Sequence, residues 1–252
     1  RERRSFKKAI YWGIKASLVK DNITFETKLF SLNGQRISNG SDFDEQTGKL
    51  RQGNKSLIIG EEKVNNLLKG FSSEDWVVSK IEKKPSTRKP VPPFTTSTLQ
   101  QEANRKLRLS ARETMRCAQG LYERGFITYM RTDSVHLSEQ AIRAARECVS
   151  SKYGEEYLSN LPRQFNSSAR NAQEAHEAIR PAGELFKTPK ETNLTGRDLS
   201  LYDLIWKRTV ASQMAEARLT MINAEISVGD GLFKSSGKSI DFAGFFRAYV
   251  EG

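Results

Sequence analysis

The spacing of hydrophobic positions changes twice along this chain, from strand-like to helical and back. Residues 9–38 alternate apolar and polar side chains at period two, and Asp-Asn and Asn-Gly dipeptides interrupt the alternation. β-Branched and aromatic residues in this pattern predict antiparallel strands joined by hairpins. A helix at residues 61–69 and a strand at residues 76–81 are predicted next.

The middle of the chain has helical spacing. Hydroxyl residues that can cap a helix, at Ser97 or Thr98, at Ser110 and at Ser138, predict three helices. Residues 199–217 predict a fourth helix, which is long and amphipathic. This part of the chain is therefore predicted to be mostly helical.

Strand-like alternation returns near the end of the chain, at residues 220–228, 231–234 and 239–249. A short buried strand is also predicted at residues 126–129. Residues 83–93 contain four prolines, which lack backbone donors and block helices. We therefore expect irregular structure and a domain boundary there.

The order of elements predicts an α+β multidomain protein in which a mostly helical domain is inserted into a β-rich domain. The boundaries are 1–90 for the first β-rich part, 91–212 for the helical domain and 213–252 for the β-rich return segment. The 252 residues include 41 Lys and Arg against 30 Asp and Glu, a net charge of +11. The first two segments carry this surplus, which favours contact with a polyanion. A soluble protein with a high isoelectric point is the alternative.

Composition excludes several classes of protein. No apolar run approaches the roughly 18 residues of a membrane span, and the first residues lack the apolar core of a signal peptide. Two cysteines and two histidines are too few for a disulfide framework or a His-rich metal centre. We expect a cytoplasmic protein. Because the chain starts at Arg1 without Met, we also expect it to be a piece of a longer protein.

Two stretches resemble sites but are interpreted as turns. Asp42-Phe43-Asp44-Glu45 offers three carboxylates to a cation, but it lies among residues that favour loops. The glycine-rich stretch at residues 231–239 has one residue too many for a phosphate-binding loop, and no helical pattern follows. We interpret it as a β-turn and expect no nucleotide cofactor.

The stretch from Phe126 to Ser134 is a candidate for catalysis. Tyr129 and Arg131 are two residues apart, so in an extended segment they share a face. A phenol beside a guanidinium is a plausible nucleophile with an anion clamp. The alternative is a structural tyrosine at the end of a strand.

A second candidate is Gln173-Glu174-Ala175-His176-Glu177-Ala178-Ile179-Arg180-Pro181. In a helix, His176 and Arg180 would lie one above the other. An imidazole near a phosphate can donate a hydrogen bond or transfer a proton. A lone structural histidine is an equally good interpretation.

The two helices before Phe126 and the strand after them suggest a winged type of helix-turn-helix. Hydroxyl and amide groups at the start of the first helix suit contact with backbone phosphates, although they are also ordinary caps. Five cations are expected to face outward: Arg105, Lys106, Arg108, Arg112 and Arg116.

Together, PPFTTSTLQQEA, GLYERGFITYMRTDS and QEAHEAIRP resemble, in this order, the core of the type IA DNA topoisomerases. The resemblance extends over about residues 91–212, and the flanking β segments resemble the family's arch domain more weakly. It implies an enzyme that cleaves one DNA strand through a 5′-phosphotyrosine, passes a strand through the gap and rejoins the ends. Negative supercoils are thereby relaxed without ATP.

The resemblance also implies roles for single residues. Tyr129 is similar to the nucleophile, Arg131 to the arginine that steadies the scissile phosphate, and His176 to a histidine that contacts DNA phosphate. Asp133 matches an acid that organises the loop. Thr132, Arg180 and Arg112 are the further residues expected to contact DNA.

In this family Mg²⁺ is held by an acidic cluster and a Glu in a Toprim domain, whose motifs this sequence does not contain. We therefore expect no metal site within residues 1–252 and no cleavage or relaxation by this chain alone. Two other hypotheses stay open, namely a non-enzymatic winged-helix DNA-binding module and a structural fragment that contacts proteins.

Overall fold

A computed structural model describes residues 7–165 and 177–250. These residues divide into two compact units, one made of residues up to 85 together with 220–239, the other of residues 86–219 together with those from 240 onward. The strands are β1 Lys15–Lys20, β2 Ile23–Leu32, β3 Gln35–Arg36, β4 Val77–Arg88, β5 Ala217–Val228 and β6 Gly231–Phe242. The helices are α1 Glu61–Ser73, α2 Thr96–Leu107, α3 Ala111–Glu123, α4 Glu139–Tyr153 and α5 Gly196–Ser212.

The first unit is built on a six-stranded antiparallel sheet with the order β1-β2-β6-β5-β4, in which β3 pairs with β2. Helix α1 covers one face of the sheet, where Phe71 packs edge-on against Phe233 with ring centroids 5.4 Å apart. The backbone of Gly231 passes so close to the Phe71 ring that a Cβ atom at this position would lie 2.7 Å from it. Apolar strand residues such as Leu29 and Phe233 therefore form a core with α1, whereas polar residues such as Lys28 and Lys234 face solvent.

The second unit is a cluster of helices around α5, which packs against α2, α3 and α4. Its largest buried side chains include Trp206 and Tyr202 from α5 and Leu121 from α3. The α+β class expected from the sequence is confirmed, as are the predicted helix starts at Ser110 and Ser138, whose side chains accept hydrogen bonds from the next helical turn. The first cap is Thr95 rather than Ser97 or Thr98.

Several predicted elements were wrong. Residues 83–88 are the end of β4 rather than an irregular linker, because Pro85 lies on an edge strand, where a missing donor is tolerated. Residues 231–239 belong to strand β6 and are not a β-turn. Residues 126–129 form only an isolated bridge from Ile127 to Pro181.

The end of the chain also differs from the prediction. Helix α5 ends at Ser212, and β5 already begins at Ala217, because buried residues continue from the helix into the strand and blur the change of period. Past β6 the chain forms a short 3₁₀ turn, Gly244–Arg247, where a strand was expected. Among the described residues, no helix is long and apolar enough to cross a membrane.

Candidate active site

Three segments that are far apart in the sequence meet in the second unit. They are residues 94–96, 126–136 and 177–182, each of which includes part of one of the three motif stretches. The backbone hydrogen bonds that join them run from Ile179 N to Phe94 O (2.8 Å), from Ala182 N to Phe126 O (2.9 Å) and from Ala178 N to His136 O (2.8 Å). The motifs are thus neighbours in space.

The segment that carries Tyr129 is fixed on one side and open on the other. Met130 and Thr132 are buried, whereas Tyr129, Arg131 and Asp133 are exposed. Tyr129 is 48% exposed, and its ring meets that of Tyr122 from α3 edge-on, with centroids 5.3 Å apart. The phenol, the guanidinium and the carboxylate therefore alternate with buried side chains and are available to a ligand.

Thr96, the first residue of α2, anchors this segment through hydrogen bonds. The Thr96 hydroxyl donates to the carbonyl oxygen of Met130 at 2.7 Å and accepts from the backbone N–H of Thr132 at 2.9 Å. The Thr96 N–H in turn donates to the Thr132 oxygen at 2.9 Å. The first backbone N–H groups of a helix have no acceptor within the helix. The bond from the Thr96 N–H satisfies one of them, and together the three bonds position the loop.

Thr128 makes the matching contacts with the third segment. Its hydroxyl donates to the Ala178 oxygen at 2.8 Å and accepts from the Arg180 N–H at 3.0 Å. Its own N–H donates to the Arg180 oxygen at 2.9 Å. The residues before and after Tyr129, Thr128 and Met130, are thus both held by threonine hydroxyls, those of Thr128 itself and of Thr96.

The side chain of Arg180 is turned into the protein. It is 7% exposed and donates to the carbonyl oxygens of Pro181 and Gly183 and to the carboxylate of Glu177 at 2.7 Å. Its Nε atom is buried without a hydrogen-bond partner among the described residues. The side chain is therefore not free to make the DNA contact expected of Arg180, because the guanidinium is already engaged in holding residues 177–183.

Glu177 links this segment to the start of α4. One carboxylate oxygen accepts from Arg180, and the other accepts from the backbone N–H of Ser138 at 2.7 Å. Burial alone would raise the pKa of Glu177, but these hydrogen bonds outweigh it and leave the pKa below its usual value. The Glu177 carboxylate thus joins residues 177–183, which hold Thr128, to the start of α4.

Of the other expected residues, His176 lies outside the described part of the chain. Arg112 is exposed on α3, and all five cations of the helix pair face outward as predicted: Arg105, Lys106, Arg108, Arg112 and Arg116. Arg105 and Lys106 form ion pairs with Glu102 on their own helix.

A buried polar network beside Phe94 escaped the sequence analysis. Arg208 donates to the Pro92 oxygen and to the hydroxyl of Tyr249, and its guanidinium lies 4.8 Å from the Phe94 ring centroid. Tyr249 donates to Glu102, and burial together with this bond raises the pKa of the phenol. A signal was present, since Arg208 falls on the apolar stripe of α5, where an arginine needs partners.

The carboxylates among the described residues do not fit a magnesium site. Asp42 accepts from Arg36 (2.5 and 3.0 Å), from Asn54 (2.9 Å) and from the backbone of Asn39 (2.7 Å). These bonds lower its pKa and confirm that it belongs to a structured loop. Nowhere in residues 7–165 and 177–250 do three His, Cys, Asp or Glu side chains converge as metal ligands would.

Comparisons with known proteins agree with the motif resemblance. The family model described as DNA topoisomerase matches residues 1–252. The chain is 60% identical over its whole length to DNA topoisomerase 1 of Synechococcus elongatus and 48% identical to that of Mycolicibacterium smegmatis, and it spans 28% of the length of each.

A solved structure supports the same relationship. Full-length topoisomerase I from Thermotoga maritima, in a monoclinic crystal form, superposes with a TM-score of 0.67 at 29% identity. The match covers 94% of this chain and 36% of that one. The chain therefore belongs to the DNA topoisomerase family and matches a portion of bacterial topoisomerase I.

Proposed function

We propose that this chain is the tyrosine-bearing part of a type IA topoisomerase and that Tyr129 is its nucleophile. The observation that carries the proposal is that Tyr129 and Arg131 are both exposed on a segment that Thr96 holds at Met130 and the backbone of Arg180 holds at Thr128. A reacting group held by a rigid frame, but open to a large ligand, suits attack on a polymer.

The proposed step is a transfer between two phosphodiesters. The phenolic oxygen of Tyr129 attacks the scissile phosphorus, the bond from phosphorus to the 3′ oxygen breaks, and a 5′-phosphotyrosine forms. The phenol loses its proton, and the leaving 3′ oxygen gains one. Because a phosphodiester bond is conserved, the reverse attack by the 3′ hydroxyl rejoins the strand without ATP.

The neighbouring residues divide into two groups. Arg131 would hold the charge that develops on the phosphate, and Asp133 would organise the exposed loop. Thr132 would contribute through its fixed backbone, and His176 would contact a phosphate nearby. Arg180 is better placed to position the tyrosine segment than to touch DNA, because its guanidinium is engaged.

For the whole protein we propose cleavage of a single-stranded segment of DNA, passage of a strand and relaxation of negative supercoils. Mg²⁺ would be held by a Toprim domain outside this chain, and the location would be the cytoplasm, at the nucleoid. This chain alone is expected to leave a supercoiled plasmid unchanged with Mg²⁺ present. Relaxation by the chain would contradict that expectation.

Covalent trapping tests the role of Tyr129. The full-length protein that carries this sequence is mixed with single-stranded DNA and Mg²⁺, denatured rapidly and examined for a protein–DNA adduct. We expect Tyr129→Phe to abolish the adduct and to leave DNA binding intact. Tyr122→Phe is the matched control, because its ring lies beside Tyr129 and is also exposed. An adduct that persists in Tyr129→Phe would refute the assignment.

The outward cations on α2 and α3 favour a second candidate, a winged-helix DNA-binding module without catalytic activity. It predicts salt-dependent binding of DNA by the parent protein and no adduct under any condition. The trapping experiment therefore separates the two candidates.

A further inference from the structure

The solvent-facing side of the sheet in the first unit carries a row of lysines across three neighbouring strands. In the register of the sheet, Lys15 of β1 lies directly opposite Lys28 of β2, and Lys28 lies directly opposite Lys234 of β6. Opposed residues in antiparallel strands project from the same face, at strand spacings of about 4.8 Å. Three like charges thus form a row roughly 10 Å long.

The sheet neutralises this row only at its ends. Lys15 lies 4.0 Å from Glu26, and Lys234 lies 3.0 Å from Glu225. In the part of the chain that the structure describes, the central Lys28 forms no ion pair. Like charges directly opposite one another destabilise a sheet, so the row is explained better by an anionic partner than by folding.

The aromatic side chain of Phe30 borders the same row. A β-bulge between Leu29 and Ser31 leaves Phe30 without a partner on β6, and its side chain is 39% exposed. The ammonium group of Lys234 lies 3.8 Å from the centroid of its ring. Bulges often redirect a side chain toward a ligand, and this one places a large apolar ring among cations.

A cleft of about 600 Å³ brings these groups together. Its lining includes the three lysines, Phe30, Tyr11 and Arg36. Tyr11 stacks on Phe43 with ring centroids 5.2 Å apart, and Arg36 is held by Asp42, so both are fixed before any ligand arrives. Basic groups that follow a backbone and aromatic rings that stack with bases are the two parts of a site for single-stranded nucleic acid.

We propose that this cleft, centred on Lys28 and Phe30, binds single-stranded DNA through its phosphates and at least one base. The inference rests on the proposed function, in that it supplies a DNA contact outside the tyrosine unit. It does not depend on the chemistry of Tyr129.

Binding of the 252-residue chain to a single-stranded oligothymidylate of about 12 nucleotides tests the proposal. The row variant combines Lys15→Gln, Lys28→Gln and Lys234→Gln. The matched control combines Lys20→Gln, Lys63→Gln and Lys69→Gln, which remove the same charge from exposed lysines outside the cleft. Both are checked for folding by circular dichroism.

We expect the row variant to weaken binding and to flatten the slope of log affinity against log salt by about 2, since each phosphate contact to a single strand contributes about 0.7. The control should keep the parent slope. Equal losses in the row and control variants would overturn the proposal, and so would the absence of binding by the parent chain.

Phe30→Leu tests the aromatic part and separates nucleic acid from an acidic protein partner. We expect it to weaken oligothymidylate binding roughly fivefold or more and to leave the binding of polyglutamate unchanged. If polyglutamate competes as well as DNA and Phe30→Leu has no effect, the single-strand assignment is wrong.

The outcomes also separate this proposal from the proposed function. Loss of binding in the row variant without any Tyr129 adduct in the full-length protein would contradict the chemistry and support the cleft. A Tyr129 adduct together with equal binding by the row and control variants would contradict the cleft alone.

Discussion

The hydroxyl of Thr96 donates a 2.7 Å hydrogen bond to the carbonyl oxygen of Met130, the residue that follows Tyr129. Thr96 is also the first residue of α2, so the start of that helix and the position of the tyrosine segment are a single arrangement. Thr96, a half-buried residue of α2, can therefore control the position of Tyr129.

Thr96→Val should disturb the Tyr129 segment by removing its anchor and not by removing a contact with DNA. The substitution keeps the shape of the side chain but leaves the Met130 oxygen and the Thr132 N–H without their partner, which costs about 1–3 kcal/mol of unfolding free energy. We expect lower stability in urea unfolding and a lower yield of the covalent adduct. Ser97→Ala, at the next and exposed position, should change stability by less than about 0.5 kcal/mol. Equal effects of the two substitutions would contradict the anchoring role.

Glu177→Gln should lower the stability of the protein by an amount that depends on pH. The folded-state pKa of Glu177 is lowered, so its carboxylate contributes stability above the unfolded pKa of about 4.3, and that contribution disappears as pH falls through the folded value. At pH 7 the variant should be less stable by about 1–3 kcal/mol, because Arg180 loses a charged partner. The difference should shrink in strongly acidic solution.

Urea unfolding at pH 7 and at successively lower pH measures this difference. Glu184→Gln, an exposed position near the same segment, is the control and should show little loss at either extreme. A difference between parent and Glu177→Gln that stayed constant across the whole range would mean that the carboxylate charge is not what stabilises the segment.

The sequence predicted those features that depend on neighbouring residues. The starts of α3 and α4 were correct because a serine that caps a helix acts within one turn. The exposure of Tyr129 beside Arg131 followed from the alternation of an extended segment.

Features that depend on distant pairing were not predictable in this way. Pro85 suggested a linker, because a proline is tolerated in a sheet only on an edge strand. That β4 is an edge strand is decided by strands far away in sequence. The inward turn of Arg180 was also missed, although Glu177, Pro181 and Gly183, which hold its side chain, are close in sequence. The burial of this segment depends on its backbone bonds to Phe94 and Thr128, which are distant in sequence. The lysine row required the register of three strands, of which β6 begins about two hundred residues after β2.

Lys28→Gln should stabilise the chain. Removing the central charge relieves two like-charge contacts in the sheet, each worth about 0.2–1 kcal/mol. We expect a higher midpoint in urea, with the gain reduced at high salt because exposed charges are screened. Lys63→Gln on α1 is the control and should show no such salt-dependent gain. A stability that falls in Lys28→Gln would mean that the lysine has a structural partner.

Arg131→Lys separates the charge of this side chain from its geometry. Lysine keeps the positive charge but cannot hold a phosphate with two parallel N–H donors, so we expect DNA affinity to change little and the rate of adduct formation to fall roughly 10- to 100-fold. Rapid-quench trapping at saturating DNA measures the rate. Arg116→Lys, an exposed arginine on α3, is the control and should leave it unchanged. Equal rates for the parent and Arg131→Lys would show that Arg131 contributes charge alone. A loss of DNA affinity without a loss of rate would place Arg131 in DNA binding instead of in the cleavage step.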